Sequence, residues 1–262
     1  MSKKKLTGYK GTDTIKDMKK PIPQVGGKNN SAKVIMKLIP YHNSYVEVFG
    51  GGASLLFKKE LSYFEVYNDK DDNLYNYMRV IRDKPGEFMR YLRRTPKGRK
   101  GYNLKGKSLM ERVVLFYIRK KSSYGGKGTC FCQNNMEREF KPKVKEVLSW
   151  SMRLRNVWIE NLDYKELIRK YDKDDTLFYL DPPYVKARND YYMESWVKEN
   201  HIELAGILKK LKGKFILSYN DSPLIRKLYK WCKIYEIDVS IGMKWRSKIK
   251  SKELIIINYE YK

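Results

Sequence analysis

The sharpest chemical signal in the chain is the run Leu177-Phe178-Tyr179-Leu180-Asp181-Pro182-Pro183-Tyr184. An apolar segment of strand length ends in a carboxylate, two prolines then hold the chain extended, and a tyrosine stands beside them. The prolines remove two backbone donors and fix φ, which leaves carbonyl acceptors next to the Asp181 carboxylate. An acceptor-rich patch against an aromatic face suits a neutral –NH2 group. The competing explanation is a loop in which prolines merely end a strand. From residue frequencies, a chance Asp-Pro-Pro-Tyr in a chain of this length has a probability on the order of one in a thousand, and here an apolar strand precedes it.

A second constellation is Val46-Glu47-Val48-Phe49-Gly50-Gly51-Gly52. It places a tight turn at the carboxyl end of a strand, where a missing Cβ lets the backbone approach a ligand. Asp69 follows at the end of the next strand, at about the 20-residue spacing that suits a carboxylate accepting from ribose hydroxyls. A glycine-rich turn with no ligand, and an aspartate that caps the next helix, explain the same residues equally well. The glycines depart from G-x-G-x-x-G, so a dinucleotide is not favoured over another adenosine-containing ligand.

These residues need a scaffold, and the apolar patterning supplies one. Strand-like runs occur at Tyr45–Phe49, Tyr63–Tyr67, Val157–Glu160, Thr176–Leu180, Phe215–Tyr219, Ile234–Val239 and Leu254–Tyr259. Helical spacing marks a segment capped by Ser31, a helix start at Ala53–Phe57, and the stretches 69–81, 164–171, 197–211 and 223–231. Strand and helix in alternation predict an α/β fold with a largely parallel sheet and crossover helices. Between Pro85 and Trp150 the character changes: a basic run, Arg93 to Lys100, a helix around Glu111–Lys121, and the loop Ser122–Gly128 suggest an inserted subdomain. Residues 1–20 read as a mobile basic tail, 21–84 with 151–262 as the main domain, and 85–150 as the insertion.

The chain has 262 residues, 56 Lys+Arg against 30 Asp+Glu and a formal net charge of +26, with a pI near 9.7. The 14% aromatic content recurs in core-forming segments and excludes disorder throughout. No apolar run approaches the roughly 20 residues of a membrane span, and no apolar stretch follows the basic amino terminus as a secretion signal would. Three cysteines are too few for a disulfide framework and suit a reducing cytoplasm. Cys130, Cys132 and Cys232, with His42 and His201, lack zinc spacing, so no metal is expected. His201 is expected on a helix surface. The charge points to a polyanion, nucleic acid before membrane.

In order along the chain, Lys20–Lys28, Val46–Ser54, Asn68-Asp69, Asp181–Tyr184, Leu217–Asp221 and Glu253–Tyr259 resemble the Dam-type (D12 class) DNA adenine-N6 methyltransferases. The resemblance implies a Rossmann-like sheet that uses S-adenosylmethionine, with an inserted, mainly helical target-recognition subdomain. It implies that Lys28 meets the methionyl carboxylate, that Glu47, Phe49, Gly50 and Gly52 line the cofactor turn, that Asp69 holds the ribose, and that Asp163 contacts the cofactor adenine. An Asp163 that only caps a helix is the alternative. Where the family usually has an aromatic before Gly-Gly-Lys, this chain has Gln24-Val25, and Gln24 still lies against the ligand on this reading.

The implied chemistry has Asp181 and the Pro182 carbonyl accept the two N6 hydrogens of a flipped-out adenine, with Pro183 and Tyr184 completing the site and Tyr184 stacking on the base. Arg93, Arg94, Lys120, Lys121, Tyr124 and Lys127 in the insertion, with Arg99 and Lys100, and Lys244, Arg246 and Lys248 in a later loop, are the expected contacts to double-stranded DNA. Cytosine-N4 methylation offers the same –NH2 chemistry, and a non-catalytic DNA-binding protein could keep the fold. The expected state is a cytoplasmic monomer in a prokaryotic or virus-infected cell.

Overall fold

Seven strands assemble in the order β3-β2-β1-β4-β5-β7-β6. In chain order these are β1 (Ser44–Glu47), β2 (Phe64–Asn68), β3 (Val157–Glu160), β4 (Thr176–Leu180), β5 (Lys214–Asn220), β6 (Lys233–Ile241) and β7 (Ile249–Ile257). The computed structural model describes residues 18–23, 31–96, 98–132, 142–185, 196–241 and 249–260. The first five strands run parallel, and β7 runs antiparallel to both β5 and β6. This is a Rossmann-like sheet with an antiparallel hairpin at one edge.

The helices are α1 (Ala32–Leu38), α2 (Asp72–Asp83), α3 (Pro85–Arg94), α4 (Gly98–Tyr102), α5 (Leu109–Ser122), α6 (Val144–Leu154), α7 (Tyr164–Tyr171), α8 (Lys198–Lys209) and α9 (Pro223–Leu228). Period-two alternation sends successive strand residues to opposite cores. Tyr45, Leu177, Tyr179, Ile216, Ile255 and Ile257 join one core with residues of α1, α2, α3, α5 and α6. Val46, Phe178, Leu180, Phe215, Leu217, Leu254 and Ile256 join the other with α7, α8 and α9. With both faces covered, the central strands read as continuous apolar runs.

Residues 85–150 contribute Phe88, Leu92, Val113, Tyr117, Val147 and Trp150 to the first of these cores. Sequence patterning finds α5 but not α3, α4 or α6. α5 begins at a capping box, with the Ser108 hydroxyl accepting from Glu111 N at 3.2 Å and the Glu111 carboxylate accepting from Ser108 N at 3.0 Å. The segment before α1 is fixed from this side: Trp150 Nε1 donates to Lys19 O at 2.9 Å and Tyr77 Oη to Pro21 O at 3.0 Å.

Two local expectations are corrected. The residues after the glycine turn do not open an α-helix: Ala53 has φ +54°, and only separate turns follow, closed by Phe57 N to Ala53 O and Lys59 N to Leu55 O. Ser31 precedes α1 but its side chain caps nothing, because its backbone is already helical at φ −80° and ψ −20°.

Candidate active site

The carboxyl ends of β1, β2 and β4 bring the two constellations together, as the register Glu47↔Tyr67 and Glu47↔Tyr179 requires. Asn68 fastens three strand ends. Its amide donates to Val48 O at 2.9 Å and Leu162 O at 3.2 Å, and its oxygen accepts from Leu162 N at 2.8 Å. Gly50 N donates to Asn68 O at 2.7 Å. A Cβ on Gly50 would lie 2.2 Å from the Tyr67 ring, so glycine is obligatory where the chain leaves β1. The Tyr67 hydroxyl then donates to Gly51 O at 2.9 Å, and Gly51 itself takes φ +50°.

Asp69 sits at the head of this turn. Its Oδ2 accepts from Gly51 N at 2.7 Å and its Oδ1 from Asp71 N at 2.9 Å. Burial raises its pKa to about 6, against the pull of those two N–H donors. Asp71, not Asp69, caps α2. Asp163 does cap α7, accepting from Lys165 N at 3.1 Å, and pairs with Lys70 at 2.9 Å. Although its partial burial opposes this, Lys70 and the Lys165 N–H hold its pKa low.

Glu47 departs from the expectation. Its carboxylate is turned inward, 1% exposed, accepting from Leu56 N and Tyr45 Oη at 3.0 Å each, and burial lifts its pKa to about 8. It holds the turn from beneath instead of lining it. Phe49 does face outward beside the glycines, in an aromatic corner with Tyr164 (5.8 Å between centroids) and Trp196 (5.5 Å, edge-on). Gly52 is buried in the turn. Gln24 and Lys28 lie outside the described residues.

At the end of β4, Pro182 is buried while Asp181, Pro183 and Tyr184 remain partly exposed. The turn is clamped from β5 and β7, the next two strands on one side of β4. Asn220 on β5 accepts from Val185 N at 3.1 Å and donates to Val185 O at 2.8 Å. Tyr184 Oη donates to Glu253 Oε1 on β7 at 2.8 Å, and Ser218 Oγ donates to the same oxygen at 2.9 Å. Sequence motifs alone do not single out Asn220 or Glu253 as clamps, though both stand in runs that carry the resemblance. Lys20 is electrostatically coupled to Asp181, Lys58 and Lys121, and burial foremost lowers its pKa.

His201 is not on a helix surface. It is 3% exposed, with Nδ1 2.8 Å from Tyr219 Oη and receiving Trp196 Nε1 at 3.1 Å. A usable signal existed: His201, Leu204, Ala205 and Leu208 are the buried face of α8 at helical spacing.

The expected DNA contacts divide. Arg93 and Arg94 are exposed at the end of α3 and line a cleft floored by Met89 and Val147. Arg99 and Lys100 are exposed on α4. Lys121 is half-buried and electrostatically coupled to Lys19 and Glu146. Lys127 is partly exposed in a loop where Gly125, Gly126 and Gly128 all take positive φ. A Cβ on Gly126 would lie 3.0 Å from Pro23 O, so this loop rests on the residue that leads into positions 24–30. The backbone of Tyr124 begins a short 3-10 turn there. Lys120 contradicts a surface placement, being 7% exposed beneath that loop. Lys244, Arg246 and Lys248 lie outside the described residues. Among the described residues, no three His, Cys, Asp or Glu side chains are grouped to hold a metal, and no helix is long and apolar enough to cross a membrane.

Comparison with known proteins agrees with this geometry. The chain is 29% identical over 267 residues to the Type II methyltransferase M1.LlaDCHI of Lactococcus lactis subsp. cremoris, covering 89% of this chain and 93% of that one. It is 24% identical over 282 residues to the Type II methyltransferase M.CviBI of Paramecium bursaria Chlorella virus NC1A, covering 92% and 100% respectively. The model of the D12 class N6 adenine-specific DNA methyltransferases matches residues 25–243. A methyltransferase sheet with Asp181-Pro182-Pro183-Tyr184 beside Asp69, matched over most of its length, places this chain in the D12 class of N6 adenine-specific DNA methyltransferases.

Proposed function

We propose that the chain methylates N6 of an adenine flipped out of double-stranded DNA, with S-adenosylmethionine as donor and Asp181 and Pro182 as the acceptors that activate the amine. The observation that carries this reading is the clamped turn at the end of β4. Asn220 and Glu253 hold it rigid, so its acceptors are pre-set, not ordered during reaction.

The donor supplies an activated sulfonium methyl group. The residues present fit it: Asp69 keeps acceptor capacity beyond its two N–H bonds, ionised at neutral pH, and so can receive ribose hydroxyls. Phe49, Tyr164 and Trp196 offer an aromatic wall beside Gly50, with Asp163 next to it for the adenine edge. Gly50 and Gly52 leave the turn bare. Lys28 is assigned to the methionyl carboxylate, and Gln24 to the same side, by the family pattern alone.

Adenine N6 is a poor nucleophile because its lone pair is delocalised into the ring. Accepting its two hydrogens at the Asp181 carboxylate and the Pro182 carbonyl localises that pair, directs it at the methyl carbon and stabilises positive charge developing on nitrogen. Pro183 holds the turn extended, and Tyr184 provides the face on which the base rests. The excess proton leaves N6 towards Asp181 or solvent after transfer. The target lies inside the duplex stack, so the base has to be extruded into this pocket.

Residues 85–150 supply target reading on this view. Arg93, Arg94, Lys121 and Lys127, with Tyr124, Lys244, Arg246 and Lys248 by sequence, serve phosphate and base-edge contacts. The active unit is a monomer working in the cytoplasm.

Transfer of tritiated methyl groups from S-adenosylmethionine to duplex DNA, followed by digestion and nucleoside chromatography, tests the reading. N6-methyl-2′-deoxyadenosine is the expected product, and Asp181→Ala is expected to abolish it while keeping DNA affinity. Recovery of N4-methyl-2′-deoxycytidine, or parental transfer by Asp181→Ala, would overturn it.

A further inference from the structure

The buried face of α8 consists of His201, Leu204, Ala205 and Leu208. At such a position the imidazole costs desolvation unless its ring is hydrogen-bonded. Its partner is the outermost ring of the aromatic wall beside Gly50. Trp196 Nε1 donates to His201 Nδ1 at 3.1 Å, and the two rings meet edge-on with centroids 5.9 Å apart. Tyr219 Oη on β5 lies 2.8 Å from the same nitrogen, its ring 5.5 Å from the imidazole. An indole N–H can only donate, so Nδ1 has to present its lone pair, and the imidazole is neutral with its proton on Nε2. Burial lowers the His201 pKa and favours that form.

Trp196 depends on such a hold. It stands just before α8, half-buried and in no strand or helix. Its indole meets Phe49 edge-on at 5.5 Å and Tyr164 at 5.2 Å. Those two rings are fixed otherwise. Phe49 leaves the end of β1 directly, and Tyr164 Oη donates to Glu203 Oε2 on α8 at 3.0 Å. The first turns of α8 therefore carry an acceptor for each of two rings of the wall, His201 for Trp196 and Glu203 for Tyr164.

We propose that His201 is a positioning residue for cofactor binding, its Nδ1 fixing the Trp196 indole in the wall that receives the adenine of S-adenosylmethionine. This rests on the assignment of that wall to the cofactor. A ring fixed in advance loses no rotamer freedom when the ligand arrives. Affinity should then depend on an acceptor at the place of Nδ1, and not on the volume that the side chain fills.

The test uses the whole protein with His201→Asn, His201→Gln and Trp196→Phe. Asparagine puts its carbonyl oxygen near the place of Nδ1, whereas glutamine fills more of the volume but puts its oxygen near the place of Nε2. Calorimetry with S-adenosylhomocysteine should show His201→Gln about fivefold to tenfold weaker than the parent, the scale of one neutral hydrogen bond. His201→Asn should lie closer to the parent. Trp196→Phe removes the donor and should lose a similar factor, and adding His201→Gln to it should cost nothing further. In methylation assays His201→Gln should raise the KM for S-adenosylmethionine by more than it lowers kcat.

Glutamine binding better than asparagine would mark a space-filling histidine and overturn the proposal. So would a further loss from His201→Gln in the Trp196→Phe background. A fall in kcat alone would place His201 with the target base, through Tyr219 and the Tyr184 ring 6.0 Å from it, and overturn it too. Trp196 is half-buried, so its variant decides even if a change at His201 prevents folding: undiminished affinity in Trp196→Phe overturns the proposal. Failure of the parent itself to bind S-adenosylhomocysteine would instead remove the cofactor assignment beneath it.

Discussion

Tyr184 Oη and Glu253 Oε1 are 2.8 Å apart, joining the turn after β4 to the strand that closes the antiparallel hairpin. Glu253 is 5% exposed and its Oε1 also receives the Ser218 hydroxyl. Its carboxylate and that of Asp181, after burial, keep the Tyr184 phenol protonated far above neutrality, so it remains a donor at any working pH. Tyr184→Phe should keep the ring but release its orientation, lowering kcat by roughly tenfold, the scale of one lost hydrogen bond to a charged group. Glu253→Ala removes the acceptor common to both hydroxyls and should reduce kcat and the urea midpoint together. Single-turnover methylation alongside urea unfolding separates the two effects.

Asp69 gives a pH signature. Its pKa is raised to about 6 by burial, so the carboxylate is ionised at pH 7 and becomes neutral below 6. Affinity for S-adenosylhomocysteine should be flat from pH 8 to 7 and weaken as pH falls through 6, by at most about tenfold per unit. Asp69→Asn should bind weakly with no such dependence. Calorimetric titrations between pH 5 and 8 would show it.

A buried ion group fixes β2 to α6. Glu65 on β2 binds Arg153 by two bonds, Nη1 to Oε2 at 2.5 Å and Nη2 to Oε1 at 3.0 Å, and Lys59 at 2.5 Å. All three side chains are 5% exposed or less. Burial opposes its ionisation, but the two cations hold the Glu65 pKa low. The sign follows: stability present above the ordinary glutamate range is lost as pH falls through the depressed folded value. Glu65→Gln leaves two cations uncompensated and should cost about 3–5 kcal/mol in urea unfolding at pH 7. Arg153→Met leaves Lys59 to balance Glu65 and should cost less.

The charge of +26 exceeds what one recognition site needs. DNA affinity should fall steeply with salt, by about a thousandfold or more between 50 and 200 mM if six or more phosphates are contacted. Removing the basic first 17 residues should make the slope shallower without changing sequence preference. Fluorescence anisotropy of duplex binding across that salt range reads both.

All seven strands were legible in the sequence, because the central strands are uniformly apolar and end in abrupt chemistry, whereas the joining of Asp181–Tyr184 with Gly50 and Asp69 in one site came from the family resemblance. The apolar stripe of α8 was equally legible, but His201 on it was read by its polarity instead of its position. Other features depend on contacts distant in sequence. Lys120 is buried because α5 is enclosed on nearly every side and Gly128 folds back over it. Glu47 points inward because Leu56 N, nine residues on, needs an acceptor. Ala53 leaves the helical region because the glycine turn closes through it, Ala53 N bonding to Gly50 O at 2.7 Å.

The seat of Gly126 on Pro23 bears on how such enzymes change their targets. On the proposed role of residues 124–128 in target reading, exchanging them for another loop would be a graft onto a support, not onto open solvent. Gly126 combines φ +75° with backbone 3.0 Å away, so a donor loop without glycine there would lift off Pro23 and disturb the approach to the Gly26-Gly27-Lys28 segment. New specificities should therefore be gained more readily by substitution around that glycine than by wholesale transplantation of the loop.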